Sequence, residues 1–325
     1  MKINQLIKFE PILKEKIWGG KKLISILNKK SLQKNIGESW ELSDVEGDTS
    51  IVSNGKLKNS SLKELIIKYK SSFVGDKVYK QFGNKFPLLI KLIDANKALS
   101  IQLHPNNELA KKRHNSFGKT EMWYVLNADK FTNLIVGFKN DTNKEAYLYH
   151  QKNKSLLSIL NSEEVKKGDV YFIPTGTIHA IGAGVMLAEI QQTSNITYRI
   201  YDWDRPNPDG TFRELHTEEA IDAIDYSAKD TYKTTYSKEL NKSSEIVTCP
   251  YFTTNVLQIK DEVSVNHQDK DSFVIYMCVE GGVEFKFNNQ KEQLQMGETI
   301  LVPACIKELK IFSENKSELL EVYIK

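Results

Sequence analysis

The sequence predicts a mainly β protein built as two barrels with a few added α-helices, and three observations carry that expectation. Short runs rich in β-branched and aromatic residues, bounded by Gly, Pro, Asn and Asp, recur along the chain. Helical periodicity is confined to a few segments. A weak internal repeat sets Gly168-Asp169-Val170-Tyr171-Phe172-Ile173-Pro174 against Gly297-Glu298-Thr299-Ile300-Leu301-Val302-Pro303. Each copy has a glycine turn, an acidic residue, a short strand and a proline exit, the signature of a duplicated unit.

In chain order, strands are expected at residues 86–93, 99–103, 122–126, 134–138, 169–173, 185–191, 197–201, 273–279, 282–287 and 299–302. Many strands at short spacing point to sandwiches or barrels. Helices are expected at 61–69, with Ser60 or Ser61 as the cap, and at 107–114, 143–160 and 213–224. The polar, aperiodic stretch 228–244 is the expected boundary, dividing the chain into units 1–235 and 236–325. A chain of 325 residues exceeds what one core usually supports, which agrees with that division.

Composition excludes several classes of function. A net charge of +3, spread along the whole chain, does not make the basic stripe of a nucleic-acid protein. No apolar run approaches a membrane span, and the N-terminal segment, interrupted by Lys and Glu, holds no signal-peptide block, so a cytoplasmic protein without membrane partners is expected. Cys249, Cys278 and Cys305 are widely spaced in apolar surroundings and read as reduced, buried small hydrophobes. His114, His150 and His267 fall in polar stretches and are expected at the surface. The 45 basic residues comprise 41 lysines and only four arginines, of which Arg199, Arg205 and Arg213 cluster. That clustering marks 199–213 as a place for anion chemistry.

The chemistry-bearing residues lie upstream of that cluster. Gln102 and His104 are two apart on a strand and so share a face. Glu121 opens the next strand, and His179 follows a Pro-x-Gly turn at a strand end. Two imidazoles, a carboxylate and an amide oxygen can close on one cation, a donor set that suits Zn²⁺, Fe²⁺ or Mn²⁺. In the second copy of the repeat, the position equivalent to His179 is Glu308, with no histidine near it. The Gly-x5-Pro-x-Gly-x2-His run from Gly168 to His179 matches the second signature of the cupin barrels, which are jelly rolls.

The segments Ser100-Ile101-Gln102-Leu103-His104-Pro105, Gly118-Lys119-Thr120-Glu121-Met122-Trp123-Tyr124 and 191–202, together with the His179 turn, resemble the type I mannose-6-phosphate isomerase family in its short bacterial form. The likeness runs from Trp18-Gly19-Gly20 and Gly37-Glu38-Ser39-Trp40-Glu41 to Arg213-Glu214-Leu215-His216, and more loosely to the end. It implies two cupin-like jelly-roll barrels, the first catalytic and the second metal-free. It implies one zinc per chain held by Gln102, His104, Glu121 and His179, Arg199 as the catalytic arginine, and a phosphosugar as the small-molecule partner. The implied reaction interconverts mannose 6-phosphate and fructose 6-phosphate through an enediol. With Glu121 as the single anionic ligand, a divalent site keeps positive charge for a developing oxyanion.

Lys119, two residues before Glu121, is expected to contact substrate oxygens or phosphate. Lys119, Glu41, Glu189 and a metal-bound water are all open as the proton-transferring base. The competing reading of Arg199 is a structural ion pair with Asp202 or Asp204. Rival functions are a cupin oxygenase using iron and a non-catalytic sugar-binding cupin; Gln102 and the arginine-bearing segment disfavour the first. A monomer or weak homo-oligomer is expected.

Overall fold

A computed structural model describes residues 3–325. The chain is 43% strand and 16% helix, so the mainly β expectation holds. The strands form three large antiparallel sheets. A five-stranded sheet orders Leu160–Glu164, Asn133–Phe138, His179–Ile181, Ile101–Leu103 and Tyr198–Tyr201. A six-stranded sheet orders Val170–Ile173, Glu121–Ala128, Val185–Gln192, Leu88–Ala95, Ile12–Gly20 and Ile36–Leu42. The third, C-terminal sheet takes its strands from 243–323, plus the short N-terminal strand Ile7–Lys8, which pairs with Ile300 and Leu301.

The six-stranded sheet is covered on both faces, which explains its sequence. One face packs Trp123, Val125, Ile93 and Leu187 against Leu134, Val136 and Ile181 of the five-stranded sheet. The other packs Met122, Leu126, Ile90 and Ile190 against helix residues Leu65, Ile66 and Phe73 and against Ile275, Leu301 and Val322 of the C-terminal sheet. Every residue of Leu88–Ala95 and of Val185–Gln192 is consequently buried. Strands covered on both faces read as near-continuous apolar runs rather than alternating ones. The outer face of the five-stranded sheet is covered by the helix Lys144–Lys152 and its neighbours through Tyr147, Ile135 and Ala180.

All ten expected strands are present, with ends shifted by a few residues at most. Ser61 caps the helix Leu62–Tyr69 through a capping box with Glu64, and the helix Asn107–His114 has the expected bounds. Two helices are shorter than expected. The 143–160 segment stops at Lys152, Lys154 turns at φ 53°, and Leu160–Glu164 leaves as a strand paired with Asn133–Phe138. The 213–224 segment is helical only over Thr217–Ile221, because Arg213 is drawn to Asp202 and the Glu214 carbonyl accepts from Arg199. His267 is buried rather than exposed, its Nε2 2.9 Å from the Tyr276 hydroxyl. Of the cysteines only Cys278 is fully buried; Cys249 and Cys305 are half-buried.

Candidate active site

The space between the five- and six-stranded sheets ends in a cavity of about 320 Å³. Strand register builds its two walls. On the five-stranded sheet, Gln102 is the register partner of His179 on one side and of Arg199 on the other. Register partners share a face, so the amide, the imidazole and the guanidinium stand in a row. On the facing sheet, Glu189 lies between Trp123 and Lys91 in the same way. Glu121 opens the strand that carries Trp123, two residues away and therefore on the same face. His104, just beyond the strand holding Gln102, completes the group.

His104, Glu121 and His179 each place a donor atom within 4.8 Å of the others, and all three are buried. The imidazoles are oriented from behind. His104 Nδ1 lies 2.8 Å from the Ile196 carbonyl, and His179 Nδ1 lies 2.9 Å from the Thr177 carbonyl. A carbonyl can only accept, so both rings carry their proton on Nδ1 and turn a bare Nε2 inward. Those Nε2 atoms face the Glu121 carboxylate at 3.4 and 3.5 Å. Neither Glu121 oxygen receives a well-formed hydrogen bond, although the Lys119 ammonium lies 2.9 Å from Oε2. Three buried acceptors converge with the Lys119 ammonium as the one cation beside them, an arrangement stable only around positive charge. The donor set therefore fits a divalent metal ion of the Zn, Fe or Mn type.

Lys119 currently supplies part of that charge: its Nζ is also 3.0 Å from His104 Nε2 and 4.0 Å from Glu189. Burial works against its charge, but Glu121 and Glu189 outweigh it and raise its pKa. Burial would likewise raise Glu121, yet Lys119 and the two histidines hold it well below the carboxylate range. Burial, reinforced by Lys119, pushes His104 down to about 3, and burial also lowers His179. Both rings are neutral, the form that can donate a lone pair to a metal.

Gln102 places Nε2 3.5 Å from His179 Nε2, with Oε1 3.3 Å from the Ser100 hydroxyl. A half-turn of the amide would bring its oxygen to the cluster, since the two ends are nearly isosteric. Arg199 makes no ion pair with Asp202 or Asp204. Asp202 is taken by Arg205, at 2.7 Å, and by Arg213, which approaches through two nitrogens. Arg199 instead donates to the Glu214 carbonyl at 2.8 Å, while its Nε is buried without a partner. Arg199 lines the cavity, and a guanidinium fork there can hold an anion.

Glu41 is not in the cavity; it pairs with Lys29 at 2.7 Å and accepts from Ser39, which removes it from the candidate bases. The cavity also holds Trp18, Glu38, Asn195 and Thr197, which lie in the segments of family likeness without an assigned role, and Lys16 and Lys91, which no motif marked. Lys91 had a legible signal. It is a lone lysine inside the apolar run Leu88-Leu89-Ile90-Lys91-Leu92-Ile93, and a cation there has to be paired. Its partner is Glu189, at 3.1 Å.

A mainly β fold whose buried His–Glu–His cluster can hold a metal ion, beside an arginine- and lysine-lined cavity, fits the class of cupin-type enzymes. Comparison with known proteins narrows this. Residues 6–130 match the model for the phosphomannose isomerase type I catalytic domain, and 242–324 match the mannose-6-phosphate isomerase cupin domain. The chain is 32% identical to mannose-6-phosphate isomerase ManA of Bacillus subtilis over 93% of its own length and 94% of the relative's. It is 31% identical to the mannose-6-phosphate isomerase of Streptococcus mutans over 94% and 96%. A crystal structure of a Bacillus subtilis mannose 6-phosphate isomerase superposes with a TM-score of 0.89 at 30% identity, covering 99% of this chain and all of that one. The chain belongs to the type I mannose-6-phosphate isomerase family and is an enzyme of that kind.

Proposed function

We propose that the enzyme interconverts mannose 6-phosphate and fructose 6-phosphate through an enediol, using one Zn²⁺ held by His104, Glu121, His179 and the amide oxygen of Gln102. The observation that carries this reading is the buried Glu121 carboxylate, without a well-formed hydrogen bond, facing two bare Nε2 atoms beside a cationic cavity. A divalent ion bound there supplies Lewis-acid stabilisation of negative charge on a sugar oxygen. The chain's own residues do the rest. Lys16, Lys91, Lys119 and Arg199 bring positive charge to a cavity sized for one open-chain phosphosugar, supporting an anionic substrate. Arg199, on the edge strand paired with Ile101–Leu103, holds an oxygen that becomes charged as the enediol forms. Lys119 contacts substrate oxygens, and Lys119 and Glu189 are the cavity groups placed to give and take the proton between C1 and C2. Trp123 fixes Glu189 through an indole N–H bond of 3.0 Å.

The proposed working division is a catalytic unit at 1–235 and a metal-free cupin-like unit at 236–325. We place the enzyme in the cytoplasm as a monomer or weak homo-oligomer without nucleic-acid or membrane partners. Isolated thiols at Cys249 and Cys278 fit a reducing compartment, and no helix among the described residues is long and apolar enough to cross a membrane. The test couples mannose 6-phosphate turnover to a fructose 6-phosphate readout with and without chelator. Chelator-sensitive turnover restored by zinc is expected; iron-dependent oxygen uptake, or turnover indifferent to chelation, overturns the reading.

A further inference from the structure

Arg199 lies on Tyr198–Tyr201, the outermost strand of the five-stranded sheet, just before a register shift in the pairing with Ile101–Leu103. An edge strand has no neighbour to hold its outward backbone groups, and a bulge loosens it further. The outward groups of Arg199 are nevertheless both satisfied, and by a single residue. The Arg199 backbone N–H donates to His216 Nδ1 at 3.2 Å, and the His216 backbone N–H donates to the Arg199 carbonyl at 2.7 Å. The Arg199 side chain donates to the carbonyl of Glu214, two residues before His216. The His216 ring also stacks on Tyr198, with centroids 6.2 Å apart and planes 28° from parallel.

His216 is thus used in an unusual way. It stands at the N-cap position of the helix Thr217–Ile221, yet its side chain makes no cap bond to that helix. The ring turns back to the strand instead. Because a backbone N–H can only donate, Nδ1 must be the bare acceptor and the ring proton sits on Nε2.

We infer that His216 is a positioning residue for Arg199: its Nδ1 replaces the missing strand neighbour and fixes the backbone from which the guanidinium reaches the substrate. The inference rests on the proposed role of Arg199 in the reaction. A misplacement of about 1 Å in such a group costs on the order of 10²-fold in rate. The cost falls on kcat, because the contact strengthens as charge develops, and KM changes little.

Two near-isosteric substitutions separate positioning from packing. His216→Asn puts an amide oxygen where Nδ1 stands; His216→Gln puts its amide where Nε2 stands. His216→Asn is expected to keep kcat within about threefold, while His216→Gln and His216→Leu lose about 10-fold to 10²-fold in kcat at nearly constant KM. Metal content should be unchanged in all three. In an Arg199→Ala background, His216→Gln should cost nothing further, since the two residues act as one unit. Equal kcat in the Asn and Gln variants, or full additivity in the double variant, overturns the inference while leaving the role of Arg199 intact. Near-normal turnover in Arg199→Ala alone overturns both.

Discussion

In the six-stranded sheet Glu189 lies in register between Trp123 and Lys91, and in the C-terminal sheet Glu321 lies in register between Tyr276 and Asn255. Each carboxylate accepts from both neighbours: Glu189 from the Lys91 ammonium and the Trp123 indole, Glu321 from the Asn255 amide and the Tyr276 hydroxyl. The repeated Gly-to-Pro strands flank both arrangements, Val170–Ile173 beside Glu121 and Thr299–Val302 beside Val274. The two halves share a scaffold down to individual pairs, and they diverge at its end. Where the first has Glu121, with no well-formed hydrogen bond to either oxygen and only the Lys119 ammonium beside it, the second has Val274, and Glu321 is further satisfied by Ser243 at 2.6 Å. A buried carboxylate whose oxygens both accept hydrogen bonds stabilises a core; one that converges with two bare imidazole nitrogens demands positive charge, of which Lys119 supplies part. The difference separates a structural network from a site that does chemistry.

The sharpest way to break this comparison is to neutralise each carboxylate. Glu121→Gln should lose bound metal and on the order of 10³-fold in kcat, the equivalent of several kcal/mol of Lewis-acid stabilisation. Glu321→Gln should keep both metal and kcat within about twofold, and lose about 1–3 kcal/mol of stability in a denaturant titration. Comparable losses of activity in the two variants would erase the distinction. Arg199→Lys comes next: metal content is kept, but kcat falls about 10²-fold because a point charge replaces a fork of donors. Steady-state kinetics with metal analysis reads this directly.

A smaller effect concerns acid stability. Burial would raise the Glu321 pKa, but the neighbouring His267, hydrogen bonds from Ser243 and Asn255, and the charge of Lys270 bring it down to about 2. A carboxyl depressed in the folded state contributes stability that is present above its unfolded value and lost as pH falls through the folded one. The wild type should therefore lose stability between about pH 4.5 and pH 2 more steeply than Glu321→Gln, as melting temperatures across that window will record. Glu41→Gln should change kcat least, by less than about twofold, since Glu41 faces Lys29 and not the cavity.

The strands with Gly, Pro or Asn punctuation were legible because turn chemistry is local. Those that were not legible owe their state to distant partners. Glu308–Tyr323, the longest strand, is dense in charge, and Ile12–Gly20 carries Lys14, Glu15 and Lys16; both are held by pairing with neighbours far away in sequence. His267 sits among Asn266, Gln268 and Asp269, and only the fold buries it against Tyr276 and Glu321. In the site, residue type and spacing brought out Gln102, His104, Glu121 and His179. Partner assignment was beyond the sequence: nothing local shows that Asp202 belongs to Arg205 and Arg213, leaving Arg199 without a carboxylate partner.

On the proposed reading, Glu121 and the two imidazoles converge because they hold one metal ion. Zinc per chain, measured by elemental analysis of the purified wild type and of Glu121→Gln, tests it most directly. About one zinc per chain in the wild type and near none in the variant is the predicted result. Equal zinc in both proteins, or a metal-free wild type with full turnover, would contradict it.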